Sequence, residues 1–323
     1  MPNYHQKKIA MINDLSGYGR CSLTVALPIL SAMGIQCCPV PTSILSNHTG
    51  FPVYYFDDYT DHMEPYIEKW KELGLTFDGI ATGFLGSERQ IEIVKDMIAA
   101  FRTPGTKVLV DPIMGDHGIA YATYTPSMCS RMRELAAMAD ILTPNLTEAC
   151  ILADVPYESG EMSYEALAGL VRRLQKLGPS AVVITGIRKG PDLVNAMAEG
   201  EGEVSFLSRK AAGEERPGTG DVFSSIIAGG CIRGWSLKRS VNLAADFVRD
   251  CIVRSGELQI PVKNGVCFEL LLGSLCQMTE GSFFKKRLLF HWKMLYTHKQ
   301  VCKYSKEIQE EYHVRFKVCQ RKP

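Results

Sequence analysis

Apolar and polar positions alternate along this chain with two periods. Short apolar runs at 9–13, 36–40, 77–82, 107–110, 139–142 and 181–185 have the length of buried strands. Between them lie helix-length amphipathic segments at about 20–33, 61–73, 87–101, 126–138, 147–153 and 163–177. In the last of these, Leu167, Leu170, Val171, Leu174 and Leu177 recur at helical spacing and make one apolar face. Ser87-x-x-Gln90 predicts a capping box, Gly74 and Gly178 predict helix stops, and Pro28 predicts a kink. Residues 193–207 read as a β-hairpin, and beyond residue 221 the pattern is helical to about 275. Strands alternating with helices predict an α/β fold, a mostly parallel central sheet with helices on both faces.

Composition narrows the classes. The 323 residues are 46% apolar and 22% charged, as in a soluble globular chain with one large core. The net charge of +1 conceals an asymmetry. Residues 278–323 hold eleven Lys/Arg against four Asp/Glu, leaving twenty-five against thirty-one in residues 1–277. The expected division is therefore a main domain at 1–277 and a basic extension at 278–323, where Phe283, Phe284, Phe290, Trp292, Tyr296, Tyr304, Tyr312 and Phe316 interleave with Lys and Arg. For the mildly acidic main domain neither nucleic acid nor a membrane is expected as partner. The eleven cysteines form no Cys-x-x-Cys or Cys/His cluster and read as reduced thiols. With no signal-peptide pattern and no run of membrane-spanning length, a cytoplasmic location is expected.

Candidate chemistry gathers after the strands, where open α/β sheets bind their ligands. The turns are Asp14-Leu15-Ser16-Gly17-Tyr18-Gly19, Ser46-Asn47-His48-Thr49-Gly50, Thr82-Gly83-Phe84-Leu85-Gly86, Asp111-Pro112-Ile113-Met114-Gly115-Asp116, Thr143-Pro144-Asn145-Leu146-Thr147-Glu148 and Thr185-Gly186. Gly218-Thr219-Gly220-Asp221 precedes an apolar helix, so its backbone N–H groups and the helix N-terminus can converge on an anion. Asp221 then stands where a carboxylate can take a proton from an attacking hydroxyl. The bland alternative is an ordinary glycine loop with a favourable first-turn acid. It is not a Walker A loop, since no Gly-x-x-x-x-Gly-Lys-Ser/Thr occurs. Asp111, Asp116 and Glu148 suit Mg2+, which takes one or two carboxylates plus waters and phosphates. Asn145, Thr147 and Glu148 equally suit a helix cap. His48, with Asn47 and Thr49 on its turn, reads as substrate-binding.

Assembled, these motifs resemble the pyridoxal kinase family of the ribokinase-like superfamily over roughly residues 7–275, and within it the bacterial pyridoxamine kinases, through Asn13-Asp14-Leu15-Ser16-Gly17 and Gly83-Phe84-Leu85-Gly86-Ser87. The resemblance implies a ribokinase-like three-layer sandwich and ATP-dependent phosphorylation of the 5′-hydroxymethyl of pyridoxal, pyridoxamine or pyridoxine. It implies ATP and Mg2+, a monovalent cation such as K+ as in many relatives, and a homodimer. By the same resemblance Asp221 is the base, and Gly218, Thr219 and Gly220 form the anion hole. Ser16, Asn47, His48, Thr49 and Phe84 line the vitamer pocket. Asp111, Asp116, Tyr124, Asn145, Thr185 and Thr219 bind ATP, and Asp111 with Glu148 manages the metal. Phe84 replaces a tyrosine common in relatives, and the first loop is closer to hydroxymethylpyrimidine kinases. Lys210-Ala211-Ala212-Gly213-Glu214-Glu215 lacks the cysteine with which one subgroup captures an aldehyde. The alternatives are a hydroxymethylpyrimidine kinase of thiamine synthesis and a silent nucleotide- or vitamin-binding protein.

Overall fold

The computed structural model of the protein describes residues 5–121, 124–158 and 161–279. A compact unit runs to Leu275. The basic stretch expected as an extension lies, from residue 280 on, outside the described residues. The strands are β1 (Lys8–Ser16), β2 (Gln36–Leu45), β3 (Phe56–Asp58), β4 (Gly79–Thr82), β5 (Lys107–Val110), β6 (Gly115–Asp116), β7 (Ile119–Ala120), β8 (Ile141–Leu142), β9 (Ala181–Lys189), β10 (Asp192–Glu199) and β11 (Ser205–Lys210). The helices are α1 (Leu23–Ala32), α2 (Thr60–Glu72), α3 (Glu88–Phe101), α4 (Pro126–Ala137), α5 (Leu146–Ala153), α6 (Tyr164–Gln175), α7 (Thr219–Ile232), α8 (Leu237–Glu257) and α9 (Leu272–Thr279). Nine strands form one sheet in the order β11-β10-β9-β8-β5-β4-β1-β2-β3, and β6 and β7 make a separate hairpin. From β2 to β9 the pairings are parallel; β3, β10 and β11 add antiparallel margins.

Period-two alternation divides the core into two layers. From β1, Ala10 and Ile12 face the side covered by α2 to α6, while Ile9 and Met11 face α1, α7 and α8. On β9, Val182 and Ile184 take the first side and Val183 the second. The predicted face of α6 is buried at Leu167, Leu170, Val171 and Leu174, each contributing about 1.5–3 kcal/mol on removal from water. This is the mostly parallel sheet covered on both faces that the pattern predicts, and the three-layer sandwich that the resemblance implies.

The departures from expectation have local causes. The helix expected from residue 20 begins at Leu23, because Arg20 and Ser22 hold φ of 53° and 56°, outside helical space. β2 runs five residues further than its apolar core, through Pro39 and Pro41. The Gln36 N–H donates to Lys7 O across β1, so the odd-numbered prolines turn their missing donors to the open edge. The Ser87 side chain accepts from Gln90 N, yet the reciprocal half of that box is absent. Gln90 is buried and spends its amide on Gly86 N and Thr42 O instead. β3 and the β6–β7 hairpin are too short to leave a periodic signal.

Candidate active site

Chain order reverses across β1: the chain passes from β1 to β2 on one side, then to β4, β5, β8 and β9 on the other. Such a switch point opens a crevice at the carboxyl ends of the strands. Asn13, at that end of β1, is buried and accepts from the N–H groups of Phe84 (2.8 Å) and Asp14 (3.0 Å). Its Nδ2 donates to Asp221 Oδ1 at 3.2 Å. Asp221 arrives from the first turn of α7, whose N-cap Gly218 has φ 80°. A Cβ at Gly218 would drive into the Arg20 carbonyl oxygen, so glycine is required there by both conformation and space. Thr219 Oγ1 donates to Arg216 O and closes the turn.

The site is a gathering of carboxylates. Asp14 is buried and accepts from Ser16 Oγ (2.8 Å) and Ser22 Oγ (2.5 Å). Burial raises its carboxyl above the usual range, against the pull of those hydroxyls. Burial pushes Asp221 up to about 6, with the Asp14 charge adding and the Ser22 N–H and Asn13 amide opposing. Asp111, at the end of β5, is raised by burial and by the charge of Asp221. Glu148 is raised by burial and by Asp111, although Asn145 N (2.8 Å) and Met114 N (3.2 Å) donate to it. Among the described residues no Lys or Arg pairs with any of these four. Asn145 and Glu148 also complete a full capping box at the start of α5, so capping and proximity to Asp111 coexist in one side chain. No three or more His, Cys, Asp or Glu side chains form a closed metal site among the described residues. Two buried, uncompensated carboxylates are nonetheless the donor set Mg2+ takes when phosphates and waters complete its shell.

A cleft of about 630 Å³ opens beside this crevice, between the β9–β11 margin and α8. It brings together Asp116, Asn145, Thr185 and Thr219 from the expected ATP-binding set and Gly220 from the expected anion hole, while Asp111 does not line it, with apolar Leu193, Ala245, Val248 and Ile252 farther along. Tyr124 is not among them. Its ring is buried in the core and its hydroxyl donates to Leu85 O at 3.2 Å, so Tyr124 does not line this cleft. Tyr121, half-exposed, lines the cleft instead. Burial and then the charges of Glu148, Asp116, Asp111 and Asp221 push its phenol up to about 12, which keeps it a donor.

The expected vitamer-side residues lie outside this cleft. Gly50 N donates to His48 Nδ1, which leaves Nε2 to donate to Lys263 O at 2.7 Å, so both ring nitrogens are engaged. The ring packs on Phe51, with centroids 4.7 Å apart, and against Gly19. Asn47 Nδ2 donates to Val53 O and Ser16 is held by Asp14, so both act first as struts. Thr49 is exposed, and Phe84 is half-buried with its carbonyl accepting from Thr42 Oγ1.

The sequence profile of a family described as phosphomethylpyrimidine kinase matches residues 30–265. The chain belongs to that family. A pyridoxine/pyridoxal/pyridoxamine kinase of Bordetella avium is 29% identical over 263 residues, 76% of this chain and 86% of the relative. A solved Bacteroides thetaiotaomicron protein, provisionally described as a phosphomethylpyrimidine kinase and holding pyridoxal, is 40% identical. It covers 84% of this chain and 96% of its own, with a TM-score of 0.80. The pyridoxal kinase of Lactobacillus plantarum matches with TM-score 0.80 at 26% identity, covering 86% of this chain and 99% of its own. The ribokinase-like, vitamin B6 kinase resemblance of the motifs thus extends to chain-length similarity.

Asn13 stands in one of the motifs above without an assigned role, and Tyr121 and Ser22 stand in none of the candidate sets. Asn13 left a signal: it is the first polar residue ending the run Ile9-Ala10-Met11-Ile12, where a buried amide needs partners. Tyr121 and Ser22 left none, since their placement depends on the β6–β7 hairpin and on the strained first loop.

Proposed function

We propose that the protein is an ATP-dependent kinase that phosphorylates the 5′-hydroxymethyl group of a vitamin B6 vitamer. The observation that carries this reading is Asp221, half-buried at the N-terminus of α7 beside the switch point and oriented by Asn13. Pyridoxal held by a 40% identical relative supports the substrate class, and ADP complexes of more distant pyridoxal kinases support ATP as co-substrate. Thr219, Gly220 and the N-terminal amides of α7 bind the transferring phosphoryl group. Asp221, with its carboxyl near 6, is ionised at neutral pH and accepts the hydroxyl proton as the new P–O bond forms. A carboxylate is too weak to ionise an alcohol beforehand, so its transfer is late and its first task is orientation.

Asp111 and Glu148 would hold Mg2+, which would supply charge neutralisation for the phosphates. Asp116, Asn145, Thr185 and Tyr121 face the phosphate chain from the cleft. Ser16, Asn47, His48, Thr49 and Phe84 shape the vitamer side. A monovalent cation, a homodimer, a cytoplasmic location and pyridoxal kinase activity, with the other B6 vitamers as alternative substrates, complete the reading. The matched family description, together with a 25% identical hydroxymethylpyrimidine/phosphomethylpyrimidine kinase of Aquifex aeolicus, favours one rival substrate. A coupled ATP-consumption assay with pyridoxal, pyridoxamine, pyridoxine and hydroxymethylpyrimidine decides between them. Turnover confined to hydroxymethylpyrimidine would sink the B6 assignment, and none on any of the four would sink the kinase reading.

A further inference from the structure

Among the polar side chains that line the cleft, Asn195 has no role in the scheme above. On β9 and β10, Val194 pairs with Ile187 and Ala196 pairs with Ile184, so two residues, Thr185 and Gly186, face the single residue Asn195. This is a β-bulge, and Gly186, at φ 65°, supplies the left-handed residue it needs. Thr185 keeps its place through its N–H to Pro144 O at 2.9 Å. The Gly186 N–H leaves the ladder, and Asn195 Oδ1 accepts it at 3.2 Å.

That bond fixes which way the amide faces. Flipping it would set an NH2 against an N–H, two donors in contact. Nδ2 must therefore point away from Gly186, and it makes no hydrogen bond to any described residue. Asn195 is 6% exposed and lines the cleft with Thr185, Gly186, Thr219 and Gly220. Nδ2 is open to the cleft and not sealed in the core, so a ligand oxygen entering the cleft can accept from it in place of water. The β-hairpin position is otherwise apolar, with Val194, Ala196 and Met197 beside it. An asparagine there places a free amide donor on the cleft wall.

We propose that Asn195 is a nucleotide-contacting residue, donating from Nδ2 to an oxygen of the phosphate chain of the bound nucleotide. It rests on the reading that this cleft holds ATP. An oxygen of the phosphate chain fits because the amide sits beside the strand-end residues Thr185 and Gly186, and because the cleft also carries Tyr121 and the N-terminus of α7 as donors.

The test compares ADP and adenosine binding by calorimetry for the unmodified protein, Asn195→Ala and Asn195→Asp. The aspartate is isosteric: it keeps an acceptor for Gly186 N–H and replaces the donor with a charged acceptor that repels the phosphates, while the alanine reads the lost donor without added charge. Hydrogen bonds to charged groups predict a loss of about 10- to 100-fold for ADP in either variant, largest for Asn195→Asp. Adenosine affinity and the KM for the vitamer should stay within about twofold. Unchanged ADP affinity in Asn195→Asp, or equal losses for ADP and adenosine, overturns the proposal. Should Asn195→Ala fail to fold, Asn195→Asp with its melting temperature carries the test alone. An unmodified protein that binds no ADP overturns the nucleotide reading itself and this proposal with it, a result separable from any effect of the variants.

Discussion

Replacing Asp221 by asparagine separates the two consequences of burying a carboxylate at the switch point. The side chain keeps its shape, and Asn13 Nδ2 keeps an oxygen to donate to. The charge is lost. Because its pKa rises from the ordinary 3.8 to about 6 on folding, the native protein binds this proton more tightly than the unfolded chain does. Below about pH 4 the carboxyl is protonated in both states and contributes no penalty. As pH rises to about 6 and beyond, ionising it destabilises the fold, by about 3 kcal/mol at 1.36 kcal/mol per pH unit. Solvent entering by the cleft reduces that figure to about 1–3 kcal/mol. Asp221→Asn should therefore be more stable than the unmodified protein by that amount at pH 8 and equal to it at pH 4. Urea unfolding at the two pH values measures this. Turnover should fall by about 10²- to 10⁴-fold, the usual loss on removing a general base, while ADP affinity is kept. Equal stabilities at pH 8, or a gain equally large at pH 4, would refute the electrostatic account of the site. Near-normal turnover would remove Asp221 from the chemistry.

Three other outcomes follow from the same geometry. In the unmodified protein kcat/KM should drop about tenfold per pH unit below about 6, as Asp221 takes up the proton it must later accept; a flat acid limb to pH 4.5 contradicts this. Asn13→Leu leaves the buried N–H of Phe84 unpaired and should cost about 1–3 kcal/mol in denaturant unfolding, with a reduced kcat; unaltered stability and kcat would contradict the bridging role. Gly218→Ala should abolish turnover by displacing the α7 N-terminus from Arg20, checked by assay beside a circular dichroism spectrum that stays native.

The periodicity of residues 9–13, 77–82 and 107–110 was sufficient for the strands, because a strand buried on both faces must be apolar throughout whatever its neighbours are. The same holds for the apolar face of α6, and for the glycines before Asp221, whose backbone needs are local. Strand order is another matter. Nothing between residues 1 and 110 says that β4 lies beside β1 and opposite β2, yet that order makes the crevice and brings Asn13 to Asp221, 208 residues away. Long-range proximity also gives Asp221 its raised pKa, since burial and the Asp14 charge are properties of the assembled site. Tyr124 illustrates the limit from the other side. Its match, before Thr125-Pro126, to a tyrosine of the resembled family implied a place over the phosphates, whereas in the fold its ring is buried and Tyr121 lines the cleft. Residue types and their order along the chain determined which chemistry this protein can carry. Only the folded sheet decided which side chains meet, because contacts between distant segments depend on strand order, a bulge at Thr185 and Gly186, and a strained first loop, none of which leaves a period in the sequence.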